Sequence, residues 1–393
     1  MIQDTARSAP TTEVYSDLAS VEALWRSLES DPTVFATPYQ RFDWVAAYAA
    51  SEPDVALRVF VLRDGSGRPQ ALIPCQVARE YGLRVARVIG ARHANFHMPL
   101  FASRAAAADL RPEDLVERLR SAARSDGIDV YAFSHQPLFW DGAANPLGIQ
   151  ADPSPSDAYG LLLGPDADAT LKRVFSADAR KKLRAKEKKL VEAFGPVAYR
   201  VARTDAEAAA YLGAFYIQKA ARFATLGIAN PYADARIRDF IAAGARRDVR
   251  SGEAAIEVAA LVGLEGERVF AVFAGAVDTD RYSGMMTSFD QDPSVSRSSP
   301  GDILLQYLIR DQATRGRRAL DLGVGEARYK TNTCDETIRL GETTVPVTLP
   351  GYLFALKTVG TARLKRRIKR NPRVMALIGR LRRRRRGGGQ SFP

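Results

Sequence analysis

The chain has 393 residues, 46% of them hydrophobic, and two cysteines: enough apolar material for two cores, and too few thiols for a disulfide framework or a cysteine-based zinc site. The net charge of +12 suggests nucleic acid until it is located. Thirteen Lys or Arg fall between Arg363 and Arg386, and removing them leaves 44 basic residues against 45 acidic ones, so the body of the protein is about neutral.

No apolar run approaches the roughly 20 residues a membrane helix needs, and MIQDTARSAP lacks a basic-then-apolar secretion signal. The expected location is the cytoplasm. Cys75 and Cys334 lie far apart in no paired motif and read as ordinary buried thiols.

In chain order, VEALWRSLES and YQRFDWVAAYAAS carry helical apolar periodicity, and ALRVFVLRDGSGRPQALIPCQVARE predicts a hairpin turning at Asp64-Gly65-Ser66-Gly67. A helix is expected near Pro112 to Arg124 and a strand near Ile128 to Ser134. The stretch ADPSPSDAYGLLLGPDADAT, rich in Pro, Asp and Gly, marks a seam between two halves. Next, RKKLRAKEKKL (Arg180 to Leu190) predicts a basic helix of about three turns, with Leu183, Leu190, Val191 and Phe194 on one stripe. Such faces are mostly solvated, and an acidic partner is the sharper alternative.

VAYRVAR then reads as a strand, and AEAAAYLGAFYIQKAAR and ADARIRDFIAAGARR as helices. The segment from Ile256 to Asp290 reads as a three-strand meander, followed by a helix from Pro300, the strand ALDLG, a short helix through Tyr329 and a closing hairpin near Thr337 to Thr348.

The helix start Ser299-Pro300-Gly301 follows a strand, so its unpaired N–H groups and dipole would face an anion. Ser299 can cap, Pro300 fits the first helical position, and Gly301 leaves room for close backbone approach. Asp302 dissents: its charge suits the dipole but repels a phosphate.

This helix start, with Gly325-Glu326-Ala327-Arg328-Tyr329-Lys330 downstream, resembles the acyl-CoA-binding core of the GNAT acyltransferase superfamily. It is most similar to the CelD-like branch, related in fold to Fem-type peptidoglycan cross-bridge ligases. The likeness is good over about residues 170 to 350. It implies an α/β (α+β) fold of tandem GNAT-like domains, each a mixed, mostly antiparallel sheet flanked by helices. The expected division is 1–165 (degenerate, forming the acceptor cleft), 166–350 (acyltransferase) and 351–393 (basic tail). Because no literal repeat is visible, the duplication rests on element order and the resemblance.

The resemblance also implies acetyl-CoA or another acyl-CoA as co-substrate and no metal. Its pantetheine would lie between the strands TDRYSGMMTSFD and ALDLG, with Gly284 permitting their splay. Binding would involve Met286 and Thr287 on the first strand and Ser299, Pro300, Gly301, Asp302 and Ile303 at the helix start. Tyr329 is the expected acid for the leaving thiolate, its bland alternative being a packed aromatic. Lys330 would neutralise a phosphate or orient the acceptor, and Asp321 and Glu326 are the candidate bases.

The expected activity is acyl transfer to an amino sugar, a polysaccharide precursor or a related small amine. The alternatives are Fem-like aminoacyl transfer from charged tRNA, and a degenerate binding protein held by its tail. His93 and His97, four apart in loop-like surroundings, are expected to be structural or to touch the acceptor rather than bind metal. Asp321-Leu322-Gly323-Val324-Gly325 lacks the third glycine of a dinucleotide turn and reads as a strand end. The tail RLKRRIKRNPRVMALIGRLRRRRR mixes cations with aliphatics and has no aromatic for stacking. It suits an anionic membrane surface better than nucleic acid, with Pro372 dividing it and Gly387-Gly388-Gly389 disordered.

Overall fold

A computed structural model describes residues 9–149, 151–248, 252–266 and 268–370. The expected break at Pro372 and the terminal glycines lie outside the described residues.

The first half runs β1 (Thr11–Tyr15), α1 (Ala19–Glu29), α2 (Phe42–Ser51), β2 (Ala56–Arg63), β3 (Pro69–Glu80), β4 (Leu83–Val88), β5 (Leu100–Phe101), α3 (Arg104–Asp109) and α4 (Pro112–Asp126). It continues through β6 (Val130–Pro137), β7 (Phe139–Trp140), β8 (Ala143–Ala144), β9 (Asp152–Pro153) and β10 (Ala158–Leu162). The second half runs α5 (Ala167–Val174), α6 (Ala177–Phe194), β11 (Val197–Val201), α7 (Asp205–Leu226), α8 (Ala235–Ala245), β12 (Ile256–Gly263), β13 (Val269–Val277) and β14 (Arg281–Phe289). After these come α9 (Pro293–Ser296), α10 (Pro300–Thr314), β15 (Ala319–Val324), α11 (Arg328–Thr333), β16 (Glu336–Ile338), β17 (Leu340–Pro346) and α12 (Leu349–Arg370).

Two large sheets result. The first has the order β1-β2-β3-β4-β6-β17-β9 with β5 beside β3, and the second β11-β12-β13-β14-β15-β10-β16. Each is antiparallel except at one place, β4 against β6 and β14 against β15. Both parallel pairs are joined by a crossover that contains a long helix, α4 in one and α10 in the other. That correspondence is the duplication no literal repeat showed.

Local chemistry explains the helices that frame the second sheet. Thr204 and Glu207 form a reciprocal capping box at the start of α7, and Gly227 ends it at φ +64. Ile303, Leu304, Leu305, Leu308 and Ile309 are buried on α10 where it packs against the sheet and α5. The halves share a core: Trp44 and Tyr48 of α2 pack edge-on against Phe240 of α8, with centroids 5.1 and 5.3 Å apart.

Three expectations change. The hairpin near Thr337 to Thr348 does not form: β16 joins the second sheet through β10, while β17 pairs with β6 in the first. Consistent with that exchange, β10 precedes the expected boundary at 165 yet pairs with β15, Leu161 opposite Leu320. The span expected as a tail from 351 begins instead inside a 22-residue helix, α12, packed on β17 and β6. Hydrophobic patterning specified which residues were strands but not which sheet would take them.

Candidate active site

Strands β14 and β15 run side by side only from Arg281 to Ser283, opposite Ala319 to Asp321; beyond that point they part. A bulge at Met285 accompanies the parting, with Gly275 opposite Gly284 but Ala274 opposite Met286. A Cβ on Gly284 would lie 2.9 Å from the Phe273 ring and 3.0 Å from the Asp321 carbonyl oxygen, so only glycine fits the vertex. From Gly284 onward β14 pairs with β13 alone, leaving a backbone edge open toward β15. Met286 is buried on the core side of this stretch, and the Thr287 hydroxyl donates to the Val272 carbonyl at 3.1 Å.

Past the strand's far end stands α10. Ser299 does not cap it with its side chain; it sits in the left-handed region at φ +47, and its Oγ accepts from Lys186 Nζ at 2.8 Å. A left-handed Ncap turns its side chain away from the first-turn N–H groups, which is why the expected cap fails. The same ammonium lies 3.7 Å from Asp302, so the repulsive carboxylate has a cation beside it. An ideal Cβ at Gly301 would meet only Phe289, at 3.7 Å, and Ile303 is buried beneath the turn. The basic helix supplying Lys186 is α6, 18 residues long rather than three turns; Leu183 and Leu190 are its buried residues, and Val191 is exposed. It leads straight into β11 and packs on α10.

Asp321 sits where the strands diverge and is 0% exposed. Its Oδ1 accepts from the Gly323 N–H at 3.1 Å, and its Oδ2 has no hydrogen-bond partner. Burial pushes its carboxyl up to about 6, against the pull of Arg281 and of the hydrogen bonds it receives. Arg281 Nη1, 3.9 Å from Asp321 Oδ2, is likewise unpartnered, while Nη2 holds Asp141 at 2.7 Å and the guanidinium lies 4.1 Å from the Trp140 ring centre.

The first half reaches into the vertex. Asn95 Nδ2 donates to Tyr39 Oη at 2.7 Å and to the Gly284 carbonyl at 2.9 Å, and lies 3.5 Å from Asp321 Oδ1. Ser283 Oγ donates to the same phenol at 3.0 Å. Gly323, at φ +76, permits this approach, because a Cβ there would lie 2.7 Å from Asn95 Oδ1. Burial, then the Asp321 charge, hold the Tyr39 phenol well above its ordinary range.

The remaining expected residues fall around this centre unequally. Glu326 is exposed, which leaves Asp321 as the carboxylate at the vertex. Lys330 is buried and donates to the carbonyls of Gly323 and Val324, both at 3.1 Å, so it fastens the end of β15. Burial lowers its ammonium pKa. Tyr329, on α11, is 40% exposed, and partial burial raises its phenol.

His93 and His97 do not converge. His97 is buried between Ser134 Oγ and the Ala91 carbonyl, and His93 lies against Tyr48 and Phe240. No cluster of three metal-ligating side chains occurs among the described residues. Cys75 is buried, and Cys334, partly buried, has its thiol pushed up to about 12 by burial.

A cavity of about 1330 Å³ opens between the halves, near the C-terminal end of α10 at Arg315, with Arg41, Arg104, Trp140, Asp141, Arg281 and Arg317 in its wall. Arg281 thus faces this cavity on one side and Asp321 on the other. Sequence reasoning missed Tyr39, Asn95, Lys186, Arg281 and Ser283. Only the alternation of Arg281 and Ser283 on one face of a strand was available as a signal, and the others meet the site through tertiary contact.

Residues 177–331 match the sequence model of the acetyltransferase (GNAT) domain. Among solved structures, FemX aligns with a TM-score of 0.58 at 10% identity, over 87% of this chain and 99% of FemX. The C-terminal domain of a putative lysylphosphatidylglycerol synthetase from Agrobacterium fabrum aligns with a TM-score of 0.51 at 12% identity, over 86% of this chain and 96% of that one. No curated protein matches the chain. The likeness to the acetyltransferase (GNAT) domain is thus carried by residues 177–331, and the chain shares its fold with FemX.

Proposed function

We propose that the chain transfers the acyl group of an acyl-CoA, acetyl-CoA first among them, to the amine of an amino sugar, a polysaccharide precursor or a related small amine in the cytoplasm. The observation that carries this reading is Asp321: a fully buried carboxyl at the strand vertex, with a pKa of about 6 and one oxygen lacking a partner. A general base poised near neutral pH is what an ammonium acceptor requires.

In this reading the CoA phosphates meet the first turn of α10 and Lys186, and the pantetheine runs along the open edge of β14. The acceptor enters by the cavity between the halves, which is the contribution of the first half. The amine nitrogen bonds to the thioester carbonyl carbon, its proton passes to Asp321, the carbon–sulfur bond breaks, and Tyr329 protonates the departing thiolate. Asn95, Tyr39 and Ser283 position the vertex.

The test is calorimetric titration with acetyl-CoA, followed by thiol release across a panel of amino sugars. Saturable binding and acceptor-dependent release support the reading, and absence of CoA binding overturns it. Aminoacyl transfer from charged tRNA is the second reading, favoured by the exposed Lys181, Lys182, Arg184, Lys188 and Lys189 of α6. It predicts that charged tRNA, not CoA, protects the protein against thermal unfolding.

A further inference from the structure

Helix α12 is apolar on two opposite faces. One packs inward: Gly351, Phe354 and Ala362 are buried where the helix lies on β17 and β6, and a Cβ at Gly351 would overlap the Asp129 carbonyl. Half a turn away, Leu349 is 83% exposed, Leu353 and Leu356 are each 70% exposed, and Tyr352 and Leu364 are exposed beside them. Their spacing puts all five on one helical stripe.

The patch extends beyond the helix. Tyr81, 81% exposed on the turn between β3 and β4, lies beside it, its ring centre 3.9 Å from Lys357 Nζ. Lone exposed leucines are ordinary, whereas a contiguous stripe of them on one helix marks a docking surface.

Charge identifies the occupant. Lys357 flanks the stripe, Arg367 is exposed toward its far end beside Arg363, whose guanidinium holds Asp152 at 2.8 Å, and the chain carries no acidic residue after Glu342. Apposing two copies of this face would bring like charges together, and a nucleic acid would leave the leucines unburied. We propose that this face docks on an anionic lipid bilayer, with the leucines and Tyr81 at the acyl boundary and the cations among the headgroups. The proposal is independent of the acyl-transfer reading. It extends to ordered, named residues the tether expected of the Arg363 to Arg386 run. No described helix is long and apolar enough to cross a membrane, so this would be attachment in the interfacial plane.

The experiment is flotation of the full-length protein with phosphatidylcholine vesicles, with and without phosphatidylglycerol, at low and high salt. The expected result is binding to the anionic vesicles alone, weakened by salt. It should fall roughly ten-fold or more in the double substitution Leu353→Ser, Leu356→Ser, with the unfolding temperature unchanged. No binding to anionic vesicles at low salt overturns the proposal. So does binding that the double substitution leaves intact, since charge alone would then suffice. A change in oligomeric mass by light scattering without any vesicle effect would make the occupant a second copy instead.

Discussion

Replacing Asp321 with asparagine keeps the side chain's shape and the acceptor for the Gly323 N–H while removing both the base and the buried charge. Burial lifts this carboxyl from its ordinary 3.8 to about 6, a difference that corresponds to roughly 3 kcal/mol at ~1.4 kcal/mol per tenfold. A carboxyl whose folded pKa exceeds its unfolded value contributes stability that is fully present below the unfolded value and is lost as pH rises through about 6. At about pH 8 the native protein therefore bears the cost of an incompletely compensated charge, and the amide does not.

Asp321→Asn should be the more stable protein at about pH 8, by up to ~3 kcal/mol, and this advantage should shrink below about pH 6 and vanish only below the unfolded carboxyl's 3.8, at about pH 3. Urea unfolding of both proteins across this range supplies the measurement. In parallel, kcat/KM at about pH 8 should fall ~10² or more with CoA affinity unchanged, and the native enzyme's kcat/KM should climb through pH ~6. A stability difference that stays constant across the pH range would refute the linkage on which the base assignment leans.

Three further perturbations follow. At the start of α10, Gly301→Val should abolish CoA binding in a folded protein, because valine costs a helix no more than glycine and the space ahead of its Cβ is bounded only by Phe289. Lys186→Ala should weaken binding there roughly ten-fold and flatten its salt dependence; calorimetry checks both, and unchanged affinity in either variant removes the phosphates from this site. Tyr329→Phe should lower turnover ~10² with CoA affinity unchanged, read by steady-state thiol release, and equal activity would return Tyr329 to a packing role.

Periodic patterns made most of the second half legible: the basic helix, the meander, the Pro300 helix and the ALDLG strand lie where the sequence put them. Asp321 was visible as a candidate because it stands on a strand that the resemblance aligned, but preferring it to Glu326 needed burial, which sequence spacing does not contain. Asn95 was hidden for another reason. It lies in an irregular segment between two histidines that drew attention away from it, and its contacts cross 189 residues to Gly284 and 226 to Asp321. Lys186 was read as one charge on a solvated face, because only the packing of α6 on α10 brings it to Ser299.

The exchange of β10 and β17 between the sheets has a consequence for how the chain must assemble. Gly160 pairs with Asp321, so the strand that carries the vertex carboxyl gains its outer neighbour only when β10 and β15, far apart in the chain, meet. The first sheet waits still longer, since Tyr131 pairs with Val345. Neither half holds all of its own strands, and a ribosome releasing the first half delivers a sheet whose edge stays unfilled until nearly the whole chain has emerged. Cutting the gene at the seam would yield two fragments with raw strand edges.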